Sequence, residues 1–390
     1  MPAQAVNRRI AELHPEATAQ NIYTLLIDGC NILKISMKDE KVGLDGRHVG
    51  GIFQFLLQLK IMLKKKDFDY VYVMWDGDNS GQLRYNVYPL YKANRDKNYY
   101  KSDYERGINE YVKKIIQKSK ERFKDEEYRR KVENEEEEFE REKVEIQKLL
   151  EELFIRQVSV NEIEGDDLMA YYILNKKPNE KVVIMSNDKD LSQLLSEDVC
   201  IFLSRDKQFL TYDNHKEIVG YHPDNVLLKK VICGDSSDNI KGVKGVGETT
   251  LFKIFPEIRE RKVELYEVRQ RCMENMEERI LQGKKPILAQ QNIIRGVSEG
   301  LEDGEVYKVN ETIIDLKHPM MTDEAVESMK ESCYIPIDPS GRDYQNVYKI
   351  VSENQISDLL DTGNFASFFS DFERIAWKEK KRFEEAFKQR

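Results

Sequence analysis

YTLLID (residues 23–28), GIFQFLLQLKIMLKKK (51–66) and YVYVMWD (70–76) decide the fold. The first and third are short apolar runs, rich in β-branched and aromatic side chains, and each ends in aspartate. A strand with one wet face alternates polar and apolar residues. These runs do not, so both of their faces are expected to be covered. The middle segment spaces its apolar residues at helical intervals and closes on lysines. Strand, helix, strand at this spacing is a βαβ unit and predicts parallel strands. KVVIMSND (181–188) repeats the pattern after the helical DDLMAYYILNKK, and VCIFLSR (199–205) and QFLTYD (208–213) read as further strands. A parallel sheet of this kind takes its ligand outside the carboxyl ends of its strands. Asp28, Asp76 and Asp188 stand there.

Further acids cluster at matching places: Glu164, Asp166 and Asp167 in EIEGDD, Asp190 in SNDKD, and Asp235 and Asp238 in GDSSDN. Taken singly, each has a plain explanation. Asp-Asp before LMAYYIL suits a helix N-terminus, Asp-x-Asp suits a turn, and Asp28 or Asp76 alone could end a strand. Together they repel one another, and such a gathering is tolerable only around cations. Oxygen-only ligands suit Mg²⁺ or Mn²⁺ and not zinc. Two clusters of acids suggest two metals, which at a separation of about 4 Å can drive phosphodiester hydrolysis. There is no Walker A motif, no Ser/His/Asp arrangement stands out, and the five histidines are scattered.

The 390 residues suffice for one large catalytic domain or two domains. No apolar run approaches a membrane span. MPAQAVNRRIAELHPEATAQN lacks the apolar core of a secretory signal. Cys30, Cys200, Cys233, Cys272 and Cys333 show no CxxC spacing and read as free thiols. The expectation is a cytoplasmic protein, or one of the host-cell cytoplasm if viral. The net charge of −9 is only a sum; bound divalent cations would reverse its sign locally. Residues 98–153 form a charged insertion nearly free of Gly and Pro, expected as one or two long helices. After residue 213 the chain reads as mainly helical. Its ending, WKEKKRFEEAFKQR (377–390), is a candidate docking element for a partner such as single-stranded-DNA-binding protein.

Four motifs, in this order and spacing, resemble the 5′-nuclease superfamily of flap endonucleases and bacteriophage 5′–3′ exonucleases. They are LLIDGCN, YPLYKANRDKNY after MWDGD, EIEGDDLMAYYI with VIMSNDKDLSQLL, and GDSSDNIKGVKGVGETT. The phage enzymes resemble the chain best, through Tyr91, Lys92, Ala93, Asn94 and Arg95. The likeness covers residues 23–255 and extends weakly to 311–319. It implies an α/β fold: an N-terminal extension (1–20), a PIN-like nuclease domain with a parallel sheet (21–213) carrying a helical arch (about 98–153), a helix–hairpin–helix region (214–289) and a helical C-terminal part (290–390). It also implies a first metal near Asp76, Glu164 and Asp166, with Asp28 supporting through water. A second would lie near Asp188, Asp190, Asp235 and Asp238, with Asp167 close to both. The ions would be Mg²⁺, with Mn²⁺ able to substitute.

Lys92 and Arg95 lie one helical turn apart and could face one phosphate. The resemblance gives Lys92 the role of steadying the scissile phosphate as charge develops. Arg84 and Tyr91 are further candidates for nucleic-acid contact. In KGVKGVGETT (241–250), Gly242, Gly245 and Gly247 let backbone N–H groups approach phosphates, with Lys241, Lys244 and Thr249 beside them. Such a hairpin holds backbone without reading bases; the family often places K⁺ there. The expected function is a Mg²⁺-dependent, structure-specific 5′ nuclease that acts as a monomer on DNA with 5′ ends, flaps or RNA primers during replication. The competing expectations are a PIN-type ribonuclease and a catalytically silent DNA-binding replication factor.

Overall fold

The computed structural model describes residues 21–92, 125–360 and 362–388. β1 (Ile22–Asp28) runs directly into α1 (Gly29–Ser36), and α2 (Gly50–Lys65) leads to β2 (Tyr70–Asp76). A short α3 (Gln82–Val87) and the long α4 (Glu126–Glu152) precede β3 (Arg156–Val160). α5 (Gly165–Leu174), β4 (Glu180–Met185), β5 (Val199–Leu203) and β6 (Gln208–Leu210) complete a six-stranded sheet of order β3-β2-β1-β4-β5-β6. All neighbours pair in parallel except β5 with β6. Strand order reverses at β1, so the crevice between the ends of β1 and β4 is the topological switch point.

The apolar runs are continuous because both faces of the sheet are covered. Leu25, Ile27, Val71, Val73 and Trp75 face one core, shared with α1, α2 and α4. Leu26, Tyr72 and Met74 face the other, shared with α5. β3 was not expected from the sequence. RQVSV is short, and its alternate residues Gln157 and Ser159 are less buried than their neighbours, so it carries no continuous apolar signal.

The next helices are α6 (His215–Val219), α7 (Val226–Cys233), α8 (Glu248–Ile254), α9 (Leu265–Leu281), α10 (Leu288–Arg295) and α11 (Glu305–Ile314). Between α7 and α8 lies a tight antiparallel pair, β7 (Gly234–Asp235) with β8 (Ile240–Lys241). Val231, Val243, Leu251, Val268, Ile293 and Val306 join these elements in a third core. The chain then returns to the sheet. α12 (Asp323–Tyr334) adds Ala325, Met329 and Cys333 to the second core. α13 (Tyr344–Glu353), α14 (Thr362–Phe369) and α15 (Glu373–Lys388) add Val347, Val351, Phe369, Phe372 and Ile375 to the first. Ile313 and Ile314 of α11 join Tyr88, Leu90, Tyr91 and Ile240 in a fourth core, so residues beyond 290 are divided among all four. Among the described residues no helix is long and apolar enough to cross a membrane.

Candidate active site

The acids come from separate segments, and local bonds fix Asp28, Asp76 and Asp188 at the carboxyl end of the sheet. Asp28 ends β1 and caps α1: its Oδ1 accepts the Asn31 amide at 3.0 Å, and its Oδ2 accepts the Ser186 hydroxyl at 2.8 Å. Ser186 follows β4, so this bond closes the switch point. Asp76 ends β2 and accepts the amide of Gly165, the first residue of α5, at 2.9 Å. Asp188 caps the 3₁₀ turn after β4 by accepting the Asp190 amide at 2.8 Å.

Basic groups are folded in among them. Lys92 Nζ donates to Glu164, whose other oxygen accepts the Tyr91 hydroxyl at 2.9 Å. Lys92 itself sits in the left-handed region at φ 53°, with its amide held by the Asp238 carbonyl at 2.7 Å. The Tyr91 hydroxyl also reaches Asp238 at 3.3 Å. Through these bonds the GDSSDN loop meets the segment before residue 93. Lys230, on α7, donates to both Asp190 and Asp235. Sequence reading passed over Lys230; its one signal was a lysine pair five residues before Asp235 on a helix otherwise apolar.

The electrostatics follow from burial and these pairings. Burial, with the neighbouring charge of Asp76, pushes the Asp28 carboxyl up to about 7. Burial also raises Asp166 well above the usual range, reinforced by Asp188, Asp28, Asp76 and Glu164. Asp190 is pushed up to about 6 by burial and Asp188, against the pull of Lys230. Burial acts the same way on Glu164, but Lys92 and Arg84 outweigh it and hold its carboxyl at about 2. Lys230 and Ser237 likewise overcome burial at Asp235 and hold it at about 2.

Three candidates, Arg84, Asp167 and Tyr91, are buried and bonded within the fold. Arg84 is buried, and its guanidinium forks onto Asp167, with Nη2 to Oδ1 at 3.0 Å, while Nε donates to the Ile313 carbonyl at 2.8 Å. It also pairs with Glu164 at 2.8 Å. A guanidinium spent this way braces carboxylates and is not on a surface open to nucleic acid. Asp167 is its counterpart. Its Oδ2 also faces Arg84 Nη1, and its Oδ1 also accepts the Met320 amide at 2.9 Å. Tyr91 is buried too, and its hydroxyl serves Glu164 and Asp238. Arg95 lies outside the described residues, as does the part of the expected arch before Asp125.

The donor chemistry at this end of the sheet is all carboxylate and fits hard cations. Among the described residues no three acids close into a coordination sphere. Glu164, Asp190 and Asp235 are instead turned onto Lys92, Arg84 and Lys230.

The glycine-rich turn lies beyond β8. Gly245 has φ +77°, and a Cβ at Gly245 or Gly247 would meet open space. Gly242 packs so close to α7 that a Cβ would fall 2.2 Å from the Cys233 carbonyl carbon. Lys244, Gly245, Gly247 and Thr249 are exposed; Lys241 and Gly242 are half-buried.

A doubly covered, mainly parallel sheet with acids around its switch point, joined to a glycine-turn helical region, defines a protein of the 5′-nuclease class. The model of the 5′-3′ exonuclease N-terminal resolvase-like domain matches residues 24–221, just over half of the chain, and the chain belongs to this family. A 5′-3′ exonuclease of Buchnera aphidicola is 37% identical over 108 residues, covering 27% of this chain and 37% of that protein. A 5′-3′ exonuclease of Halalkalibacterium halodurans is 27% identical over 237 residues, covering 57% of this chain and 66% of that one. The chain thus matches less than two thirds of the length of these relatives. Among solved structures, T5 5′-exonuclease with bound divalent metal ions (zinc) shares the fold: TM-score 0.50, 17% identity, and coverage of 85% of this chain and 98% of that one.

Proposed function

We propose that this protein is a divalent-metal-dependent 5′ nuclease that hydrolyses DNA phosphodiesters at 5′ ends and flaps and removes primers or flaps in replication. The observation that carries the reading is the convergence of Asp28, Asp76, Glu164, Asp166, Asp188, Asp190, Asp235 and Asp238, with Lys92 among them, beside an exposed glycine turn. Burial, reinforced by neighbouring carboxylates, raises Asp28, Asp166 and Asp190, as it does for acids whose charge is incompletely balanced. The divalent ions in the T5 structure support a similar requirement here.

In this reading Asp76, Glu164 and Asp166 would hold one Mg²⁺, with Asp28 supporting through water, and Asp188, Asp190, Asp235 and Asp238 would hold a second, with Mn²⁺ able to replace them. When bound, these ions would supply an activated water and neutralise the leaving oxygen. Hydrolysis forms a bond from water oxygen to phosphorus and breaks the bond to the 3′ oxygen, leaving a 5′-phosphate and a 3′-hydroxyl. Lys92 exchanges Glu164 for the scissile phosphate and offsets its growing charge. Its left-handed backbone, pinned by Asp238, holds the ammonium there. Arg84 and Asp167 keep Glu164 and Asp166 in place from below. The turn at 242–247 holds duplex backbone, with K⁺ as a further occupant of the hairpin. The reading includes action as a monomer in the cytoplasm. The exposed Trp377 and Phe387 of α15 are the place for a partner such as single-stranded-DNA-binding protein.

The test is cleavage of a labelled 5′-flap DNA by the wild type and Asp188→Asn, each with Mg²⁺ and with EDTA. Cutting near the junction by the wild type with Mg²⁺, lost by at least a hundredfold in the variant, is expected (roughly, from the size of effects on groups acting in the transition state). Undiminished cutting by Asp188→Asn sinks the site. Cutting of matched RNA in preference to DNA transfers the site to a ribonuclease.

A further inference from the structure

The turn at 241–247 is held only in part by its own bond, from the Val246 amide to the Val243 carbonyl at 3.0 Å. Three of its carbonyls are taken by side chains from far along the chain. Asn310 Nδ2 donates to the Lys241 carbonyl at 2.9 Å, the Ser298 hydroxyl to Gly242 at 2.8 Å, and Asn292 Nδ2 to Lys244 at 2.8 Å. The Lys244 amide donates in return to the Val297 carbonyl at 2.8 Å. The three side chains come from α10, the loop after it, and α11. All are buried: Asn292 is 7%, Ser298 9% and Asn310 0% exposed.

A glycine-rich turn has many accessible conformations, and an unassisted one would sample most of them. In some of those its carbonyl oxygens would face outward, and a carbonyl dipole pointed at a phosphate repels it. Drawing the carbonyls of Lys241, Gly242 and Lys244 inward leaves Lys244, Gly245 and Gly247 on the exposed face, where a lysine and open glycine backbone can accept an anion. The arrangement has a cost. Asn310 uses its Nδ2 on two carbonyls, Lys241 and Val231, and its Oδ1 is buried without a partner. A buried acceptor left unsatisfied in a helical core calls for a reason. Serving the turn provides one.

We propose that Asn292, Ser298 and Asn310 are positioning residues that fix the 241–247 turn in a phosphate-accepting form, so that binding of duplex DNA backbone depends on residues beyond 290. This rests on the nuclease reading above. None of the three touches the acids. They therefore control affinity for duplex and leave the chemical step alone.

The experiment uses the full chain with Asn292→Ala, Asn292→Asp, Ser298→Ala and Ser298→Thr. Affinity is measured by fluorescence anisotropy in EDTA for a 5′-flap duplex and for a single-stranded oligonucleotide of the flap sequence. Single-turnover cleavage at saturating enzyme follows in Mg²⁺. Asn292→Ala, Asn292→Asp and Ser298→Ala should each weaken duplex binding about tenfold while single-strand binding and the saturated rate stay within about twofold. Ser298→Thr, which keeps the hydroxyl, should bind like the wild type. Duplex affinity unchanged in all variants, or equal losses on both DNAs, overturns the proposal. So does a loss explained by the unfolded fraction seen in thermal melts. If the wild type cleaves and binds duplex while the variants match it, only this proposal fails. If the wild type binds no duplex, the nuclease reading fails with it.

Discussion

Arg84 shows how burial reassigns a basic residue. In the sequence it stands near Tyr91 and Lys92 and looks like a contact for DNA. In the fold it lies beneath the acids, bonded to Asp167, Glu164 and the Ile313 carbonyl. Buried carboxylates raise its affinity for the proton despite the opposing cost of burial. Removing one partner of a buried pair leaves an uncompensated charge, so Arg84→Met should lower stability by about 3–5 kcal/mol. Arg84→Lys should recover only part, because an ammonium lacks the planar fork. Urea unfolding followed by circular dichroism measures both, and a loss under about 1 kcal/mol for the methionine variant would contradict the bracing role. Asp167, 83 positions away, is a partner that no local pattern assigns to Arg84.

α4 is two structures in one helix. Up to residue 140 it is largely exposed and carries weak pairs such as Arg130 with Glu126 and Lys131 with Glu135. From Glu142 on, Ile146, Leu149 and Leu150 bury at helical spacing against the sheet. Glu142 is fully buried, and its Oε2 accepts the Ile52 amide at 2.8 Å, capping α2. The charged composition of the insertion was legible; the point where it docks was not, because a buried glutamate reads as one more surface acid. α6 carries a different signal. His215 is buried, its Nδ1 pairs with the Tyr221 carbonyl at 2.9 Å, and burial depresses its pKa from the ordinary 6.5. The unfolded chain takes up a proton at 6.5 that the folded chain resists. Its contribution is therefore intact above that pH and is lost as pH falls through it. Between about pH 7 and pH 5, the wild type should lose stability faster than His215→Asn, which keeps a donor without titrating. Parallel slopes in urea titrations at the two pH values would refute the assignment.

Residues 323–388 are not an appendage to the molecule. α12 covers one face of the sheet and α13, α14 and α15 the other, and edge strand β3 is stitched to both. Arg156 donates from Nη2 to Glu379 Oε2 at 2.7 Å and from Nη1 to the Ser332 and Ile335 carbonyls at 2.9 and 2.8 Å. Glu379 is 1% exposed. Arg382 stacks 3.9 Å over Tyr70 and donates to the Asp69 carbonyl at 2.7 Å. Arg156→Leu should therefore cost about 3–5 kcal/mol, and adding Glu379→Leu should return most of it, since an apolar pair of similar volume tolerates the site. Thermal melts of the four members of the cycle decide this. A double variant no better than the single would mean that α12, through its carbonyls, is the partner that matters.

The sequence by itself determined the parallel sheet, because strands covered on both faces must be apolar without a break. It also placed acids at strand ends, because βαβ connectivity leaves the carboxyl ends together. It could not place β3, whose edge position removes the apolar signal, nor the return of α12–α15 onto the sheet, which depends on contacts some 200–300 residues apart. The tertiary structure alone decided which charges meet. Lys230 reaches Asp190 and Asp235, Arg84 and Asp167 become a brace, and Asn292, Ser298 and Asn310 meet the glycine turn. Each of these depends on burial and on donor-to-acceptor distances between distant segments, quantities that exist only once the chain has closed on itself.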